Sequence, residues 1–192
     1  MMDFIDKDRK VIDEYYNIQD NFTGKNVNAT ILALKKLIKE DPYFFDSYLM
    51  IFNLLNSSGK SKEAEEIITQ GYSKALDLIL DKTGNWPLKL EWGWLENRHI
   101  IRLLINVGIT LWKKEKHEEA LELFEKLLKS NPNDNGGVRY FILAILEGMS
   151  LNIFNKKFDK DGYWDTTIVE WFNEKVNTHK EYFDWWLKLF DE

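Results

Sequence analysis

Two adjacent helical patterns within residues 98–132 constrain the fold of this chain more than any other feature. In the segment RHIIRLLINVGITLWKK, apolar residues recur on one broad face. In the segment KHEEALELFEKLLKSNP, an apolar face opposes a charged one. The polar link between them, residues 113–116, is short, so we expect the two helices to pack antiparallel as a hairpin. Pro132 ends the second helix, because a residue before proline avoids the helical conformation.

The second helix of this hairpin is repeated earlier in the chain. Residues 23–42 align without gaps on residues 113–132, and Leu34 then corresponds to Phe124. A third, looser copy keeps the same spacing at Ala64, Ile68 and Gly71. Repeated helix hairpins are the signature of a helical solenoid, so the sequence predicts an all-α fold.

At these residues the chain resembles the tetratricopeptide repeat (TPR) family, whose two-helix pattern recurs about every 34 residues. The family positions on the two helices are filled by Leu104, Val107, Gly108 and Leu111, then Ala120, Phe124, Leu127 and Pro132. Small residues at Gly108 and Ala120 let the paired helices approach closely. The resemblance covers most of residues 11–149 and is strongest in residues 101–132. It implies a right-handed solenoid of antiparallel helix hairpins with a concave groove, and it implies no catalytic activity.

The predicted organisation is a single TPR-like domain over residues 1–192. Its parts are hairpin 1 (1–44), hairpin 2 (45–80), an aromatic insertion (81–95), hairpin 3 (96–134), an additional helix (135–155) and a C-terminal amphipathic helix (156–192). In the last part, an apolar stripe runs from Trp164 to Phe190 at alternating spacings of three and four. We expect this helix to cap the solenoid, because the last repeat would otherwise expose an apolar face, or to fold into the groove.

The aromatic insertion contains the segment NWPLKLEWGW, residues 85–94. Its rings are candidates for stacking on a sugar or clamping a peptide. The alternative is that Trp86, Trp92 and Trp94 fill the space where a long connection crosses a hairpin, since tryptophan buries a large area. We interpret the segment mainly as such a joint, with one ring left exposed and with Pro87 between two helices.

Polar residues on the first helices of the hairpins are the candidates for a peptide-binding groove. The predicted set is Asn53, Arg102, Asn106 and Arg139, with Trp112 alongside. Arginines and amides suit a carboxylate or an acidic peptide, and the set resembles in part the carboxylate clamp of chaperone-binding TPR proteins. The alternative is that Arg98 and Arg139 pair with Glu91, Glu96 or Asp134 as structural ties.

A second candidate surface lies on the C-terminal helix. Its apolar face is widened by Trp171, Tyr182, Trp185 and Leu189 beyond what one docking surface needs. A large exposed apolar patch indicates an interaction site, so these residues predict either a cap or a homodimer interface. The first function hypothesis is therefore a non-enzymatic scaffold that binds a protein or peptide, and the second is self-assembly. A glycan-active enzyme that uses the tryptophans is a remote third.

Composition excludes several other classes of function. The chain has no cysteine, which rules out thiol chemistry and cysteine-bound zinc. Its net charge is -6 and no basic face stands out, so we expect neither nucleic acid nor a membrane as partner. His99, His117 and His179 match no metal motif, and residues 157–168 lack the ligands of a calcium loop. We expect no cofactor. The first ten residues lack the apolar core of a signal peptide, which predicts a cytoplasmic protein.

Overall fold

A computed structural model describes residues 3–190, and these residues are mostly helical. The helices are α1 (Ile12–Asp20), α2 (Val27–Glu40), α3 (Phe45–Ser57), α4 (Ser61–Ile79), α5 (Arg98–Lys113), α6 (His117–Ser130), α7 (Val138–Leu146), α8 (Leu151–Phe158), α9 (Thr167–Lys175) and α10 (Lys180–Leu187). Short 3-10 turns cover Leu95–Asn97 and Val176–His179. Two short strands, β1 (Asp159–Lys160) and β2 (Tyr163–Trp164), pair antiparallel as a hairpin.

Contacts divide the chain into two compact units, Met1–Val107 and Gly108–Glu192, where the sequence predicts a single domain. The division falls within α5. In the first unit, α1 packs on α2, α2 on α3 and α3 on α4. In the second unit, α6 packs on α7, and α7 packs on α9. The prediction of a mostly helical chain is therefore confirmed for the described residues.

The apolar periodicity of the sequence locates the core of the first unit. One cluster of buried side chains joins α1, α2, α3 and the start of α4; it comprises Val11, Tyr15, Leu34, Leu37, Phe44, Ile51, Leu54, Leu55 and Ala64. The repeat positions Leu34 and Ala64 are fully buried, as the alignment predicts. Gly71 of α4 lies against the ring of Tyr48, so the helices of this pair approach closely.

The close approach predicted at Gly108 is present in the second unit. A Cβ built on Gly108 would lie 2.4 Å from Cε1 of Phe124, a fully buried side chain of α6. Carbon atoms pack at about 3.5–4.0 Å, so no side chain fits at this position without moving the ring. The glycine thus allows α6 to seat Phe124 directly on the backbone of α5.

The additional helix predicted for residues 135–155 is two helices in the structure. Gly148 has a φ of +70°, a left-handed conformation that glycine adopts without steric cost. The Met149 N–H donates to the carbonyl of Ala144, which closes α7. Ser150 then caps α8, because its side-chain oxygen accepts from the N–H of Ile153.

The C-terminal segment is also broken, so the single helix predicted for residues 156–192 is wrong over the described part of that range. Asp161 and Gly162 both have positive φ, and an Asp-Gly pair of this kind builds a tight β-hairpin turn. Further on, the Thr178 hydroxyl donates to the Lys175 carbonyl, and the chain tightens there into a 3-10 turn. Local turn chemistry therefore overrides the apolar stripe.

The aromatic insertion is irregular from the end of α4 to the turn before α5. Trp86 and Trp92 are half-buried, whereas Trp94 is 48% exposed, which agrees with the expected joint with one exposed ring. Pro87, however, is buried within irregular chain and does not mark a helix boundary. Leu90 is fully buried and anchors this segment in the first unit.

Replacing Gly108 with Ala should lower the free energy of unfolding by about 1–3 kcal/mol, because the added methyl overpacks the core against Phe124. Gly93→Ala is the matched control, since a Cβ there meets no atom within 4 Å. Urea unfolding of both variants checks the expectation. Equal stability of the two variants would contradict it.

Candidate functional site

An extended N-terminal segment, residues 3–9, is held against the first unit; we call it the strap. It belongs to no helix or strand, yet Asp6 and Arg9 are among the most buried polar residues of this unit. The Phe4 N–H donates to the carbonyl of Lys89 at 2.9 Å. The fully buried Asn97 side chain accepts from the Asp6 N–H at 2.9 Å and donates to the Phe4 carbonyl at 3.0 Å.

The carboxylate of Asp6 is the centre of a buried polar network. Arg9 Nε donates to Asp6 Oδ2 at 2.7 Å, and a second guanidinium nitrogen pairs with Oδ1. The same arginine reaches Asp41 at 3.1 Å, just before α3. His99 Nε2 lies 2.9 Å from Asp6 Oδ2. A buried charge is costly unless it is paired and hydrogen-bonded, and these contacts satisfy both requirements.

The network favours the charged form of Asp6. Burial raises the pKa of this carboxyl, but hydrogen bonds from His99 and Arg9 outweigh burial and lower the pKa below its ordinary value of 3.8. Burial lowers the pKa of the Arg9 guanidinium, but the hydrogen bond and opposite charge of Asp6 outweigh burial, so this pKa is raised above its ordinary value. Both groups are therefore ionised at neutral pH.

His99 connects the strap to the start of α3. Its Nδ1 accepts a hydrogen bond from the Phe45 N–H at 3.1 Å, so this nitrogen carries no proton and Nε2 donates to Asp6. The ring stacks on Phe45 and contacts Phe44, with centroids 5.3 Å apart in both pairs. Both ring nitrogens are thus engaged, which makes His99 a structural connector and leaves it no nitrogen for acid–base catalysis.

A cleft of about 330 Å³ opens beside this network. It is lined by the strap and by the N-terminal ends of α1, α3 and α5: Lys7, Asp8, Arg9, Ile12, Tyr16, Phe44, Asp46, Leu95, Glu96, Arg98, His99 and Arg102. Tyr16 and Leu95 are 51% and 67% exposed, so the cleft has an apolar rim. It is therefore an open surface site with charged and apolar walls.

Two arginines of the cleft differ in their partners. Arg102 donates to both oxygens of Asp46, with its Nε 2.9 Å from Oδ1, so its charge is compensated. Arg98 Nε donates to the Trp92 carbonyl at 3.0 Å, and its guanidinium lies 5.3 Å from the centre of the Trp92 ring. Among residues 3–190, no carboxylate pairs with Arg98. Its terminal nitrogens remain available to a ligand.

The structure distributes the predicted groove residues over both units. Asn53 is exposed on α3, and Asn106 of α5 donates to the backbone carbonyl of Arg102 at 2.9 Å. Trp112 is 1% exposed, and its Nε1 donates to the Met149 carbonyl, so it is a core residue and its ring meets no ligand. Of the predicted set, Arg102 lines the cleft.

Arg139 is a structural tie, the alternative that the sequence left open. Its Nη1 lies 2.8 Å from Asp134 Oδ2, and its guanidinium covers the ring of Tyr140 at 4.1 Å. Phe172 and Trp186 also lie within 6 Å of it in the second unit. The arginine is therefore enclosed by aromatic rings and joined to a carboxylate, and it is not placed to bind a peptide.

The predicted cap or oligomer surface is only partly exposed. Trp171 is 6% exposed and packs on Phe158, with ring centroids 5.0 Å apart. Tyr182 and Trp185 are half-buried, and Leu189 is 55% exposed. Trp171 therefore belongs to the core of the second unit, whereas Tyr182 and Trp185 lie at its boundary.

Sequence reasoning missed the residues that build the site, above all Asp6, Arg9, Asn97 and His99. The usable signal was the closeness of Asp6 and Arg9 in the sequence, since opposite charges three residues apart can pair locally. No such local signal links Asp6 to His99, which lie 93 residues apart in the sequence.

Comparisons with known proteins were made with the whole chain. No family model, curated protein or solved structure matches it. Within residues 3–190, no group of three or more histidine or acidic side chains is arranged to hold a metal ion. No helix in the same part of the chain is long and apolar enough to span a membrane.

Replacing Asp6 with Asn should cost about 3 kcal/mol of stability at neutral pH, because it leaves the buried Arg9 with one partner in place of two. Asp8→Asn removes the same charge from an exposed strap residue and should change stability by less than about 0.5 kcal/mol. Urea unfolding measures both.

The same pair of variants tests the pH dependence. A carboxyl with a lowered pKa stabilises the fold fully above its ordinary value of 3.8, and this contribution is lost as the pH falls through the lower folded value. The stability of Asp6→Asn should therefore fall less steeply than that of the wild type below about pH 4. If the unfolding free energies of the two proteins fell in parallel below about pH 4, Asp6 would not be the source of the pH dependence.

Proposed function

We propose that this chain is a non-enzymatic scaffold of the TPR type that binds a peptide or protein segment in the cleft beside the strap. The observation that carries the proposal is the guanidinium of Arg98. Trp92 fixes it through a carbonyl and a ring, while its terminal nitrogens have no acceptor in the described chain. A cation held in place before binding loses little conformational freedom when an anion arrives, which favours affinity.

The surroundings of Arg98 suit a peptide segment that contains both acidic and apolar residues. Lys7 is a second cation of the cleft without a carboxylate partner in the described residues, and the N-terminal ends of three helices add partial positive charge. Asp8 and Glu96 also line the cleft, and they disfavour a run of acidic residues. The best match is therefore one carboxylate among apolar side chains, which would pack on Tyr16 and Leu95.

This proposal keeps the predicted class of partner but changes the residues that bind it. Arg102 becomes a supporting residue, because Asp46 already occupies its donors. Trp112 and Arg139 leave the site. The absence of a nucleic-acid, membrane or cofactor partner and the cytoplasmic location stay predictions from the sequence.

Short synthetic peptides test the proposal. One set carries a single glutamate among apolar residues, and the matched set carries glutamine at that position. We expect the chain to prefer the glutamate peptides, and Arg98→Gln to weaken their binding about 10-fold or more, since a hydrogen bond to a charged group contributes about 1.5–3 kcal/mol. Fluorescence anisotropy measures the affinities.

Lys62→Gln is the matched control, because it removes one positive charge from an exposed site on α4 outside the cleft. It should leave peptide binding unchanged, and both variants should retain the wild-type circular dichroism spectrum. The proposal is wrong if no peptide binds, if glutamate and glutamine peptides bind equally, or if Lys62→Gln weakens binding as much as Arg98→Gln.

Self-association is the second candidate function, and it is favoured by two adjacent apolar residues that remain exposed. Leu189 and Phe190 are each 55% exposed at the end of α10. If they form a homodimer interface, the wild type should be a dimer by light scattering and the variant Leu189→Ser with Phe190→Ser a monomer. A monomeric wild type would rule out this interface.

A further inference from the structure

The strap lies on the first unit in the manner of a bound peptide. The Asn97 side chain brackets Ile5: its amide nitrogen donates to the Phe4 carbonyl, and its amide oxygen accepts from the Asp6 N–H. The single Asn97 amide thus binds the two backbone groups on either side of Ile5, an arrangement that requires an extended chain. The Phe4 N–H donates to the Lys89 carbonyl and extends this backbone recognition by one more contact.

The side chains of residues 3–7 of the strap alternate as they do in a strand. Phe4 is half-buried, Ile5 is 49% exposed and Asp6 is 7% exposed, and the alternation ends where Asp8 is exposed and Arg9 is buried. The inward carboxylate of Asp6 accepts from the His99 ring, whose tautomer is fixed by the Phe45 N–H. The first unit therefore contacts both the backbone and the side chains of the strap. The side-chain contacts require an inward apolar residue followed two positions later by an inward carboxylate.

The receiving groups belong to ordered parts of the first unit. Asn97 also donates to the Glu91 carbonyl at 3.3 Å, and His99 is packed between Phe44 and Phe45. Asn97 is fully buried and His99 is 4% exposed. The site is thus held by contacts within the unit as well as by contacts to the strap.

We infer that Asn97, His99 and the Lys89 carbonyl form a peptide-binding site for an extended segment with the pattern apolar–any–Asp, and that the strap occupies it as an internal ligand. Residues 4–6 of the strap belong to no helix or strand, so their displacement breaks no hydrogen bond within a helix or sheet. A tethered segment competes at an effective concentration in the millimolar range. An external segment therefore binds well only when the strap is weakened.

The test uses the full chain and a labelled peptide of the strap sequence, DFIDKDR. In the variant Asp6→Ala the strap loses its inward carboxylate, so the peptide should bind at least about 10-fold more tightly than to the wild type, since fewer molecules have the site occupied. Amide spectra should show the peptide affecting Phe45 and the side chains of Asn97 and His99. If Asp6→Ala does not fold, Phe4→Ala weakens the strap through its apolar contact instead.

Two controls identify the contacts. A peptide with asparagine in place of its second aspartate lacks the carboxylate for His99 and should bind weakly. Adding Asn97→Asp to Asp6→Ala keeps the size of the side chain but removes the donor to the peptide carbonyl, and binding should be lost. The inference is overturned if folded Asp6→Ala binds no better than the wild type, or if binding persists with either control.

This site does not depend on the proposed function of the cleft. Arg98 makes none of the contacts to the strap backbone or to Asp6. Arg98→Gln should therefore leave the binding of DFIDKDR unchanged while it weakens the glutamate peptides. Loss of both activities in Arg98→Gln would mean that the strap peptide binds in the cleft, which would contradict the inference.

Discussion

The buried carboxylate of Asp6 determines the arrangement of this end of the first unit. Since a carboxylate is stable in a protein interior only with charged and hydrogen-bonding partners, Arg9 and His99 must both be in place. Arg9 in turn reaches Asp41 before α3, and His99 holds the first N–H of α3. Removing one member therefore leaves other buried polar groups without partners, which makes the strap, the start of α3 and the start of α5 one interdependent assembly.

The fold also gives two similar arginines of the cleft different partners. Arg98 and Arg102 stand one helical turn apart on α5 and look equivalent in the sequence. In the fold, Asp46 accepts from Nε and one terminal nitrogen of Arg102, whereas Arg98 contacts the carbonyl and ring of Trp92 and no carboxylate within residues 3–190. This difference in partners is why the proposed binding site depends on Arg98 and only secondarily on Arg102.

The sequence predicts those parts of the structure that depend on periodic burial. Leu34 and Phe124 lie on the buried face that a helix repeats every three or four residues, and the small residue of the repeat pattern, Gly108, lies at the close approach to Phe124. The site escaped prediction because Asp6 and His99 meet through tertiary folding, and polar pairing over 93 residues leaves no periodic trace. The break at Val176–His179 escaped because the apolar stripe continues through it, and the Asp161 turn escaped because it lies before the stripe begins.

The strap and the cleft share residues, and this has a thermodynamic consequence. Lys7 and Arg9 belong to the strap and also line the cleft, so an external peptide that displaces the strap removes one wall of the cleft. A ligand that binds the cleft only when this wall is present must stabilise the docked strap. By linkage, the docked strap must raise the affinity of the cleft for that ligand by the same factor. The two sites are then negatively coupled: a segment with the pattern apolar–any–Asp opposes the cleft ligand, and the cleft ligand opposes it.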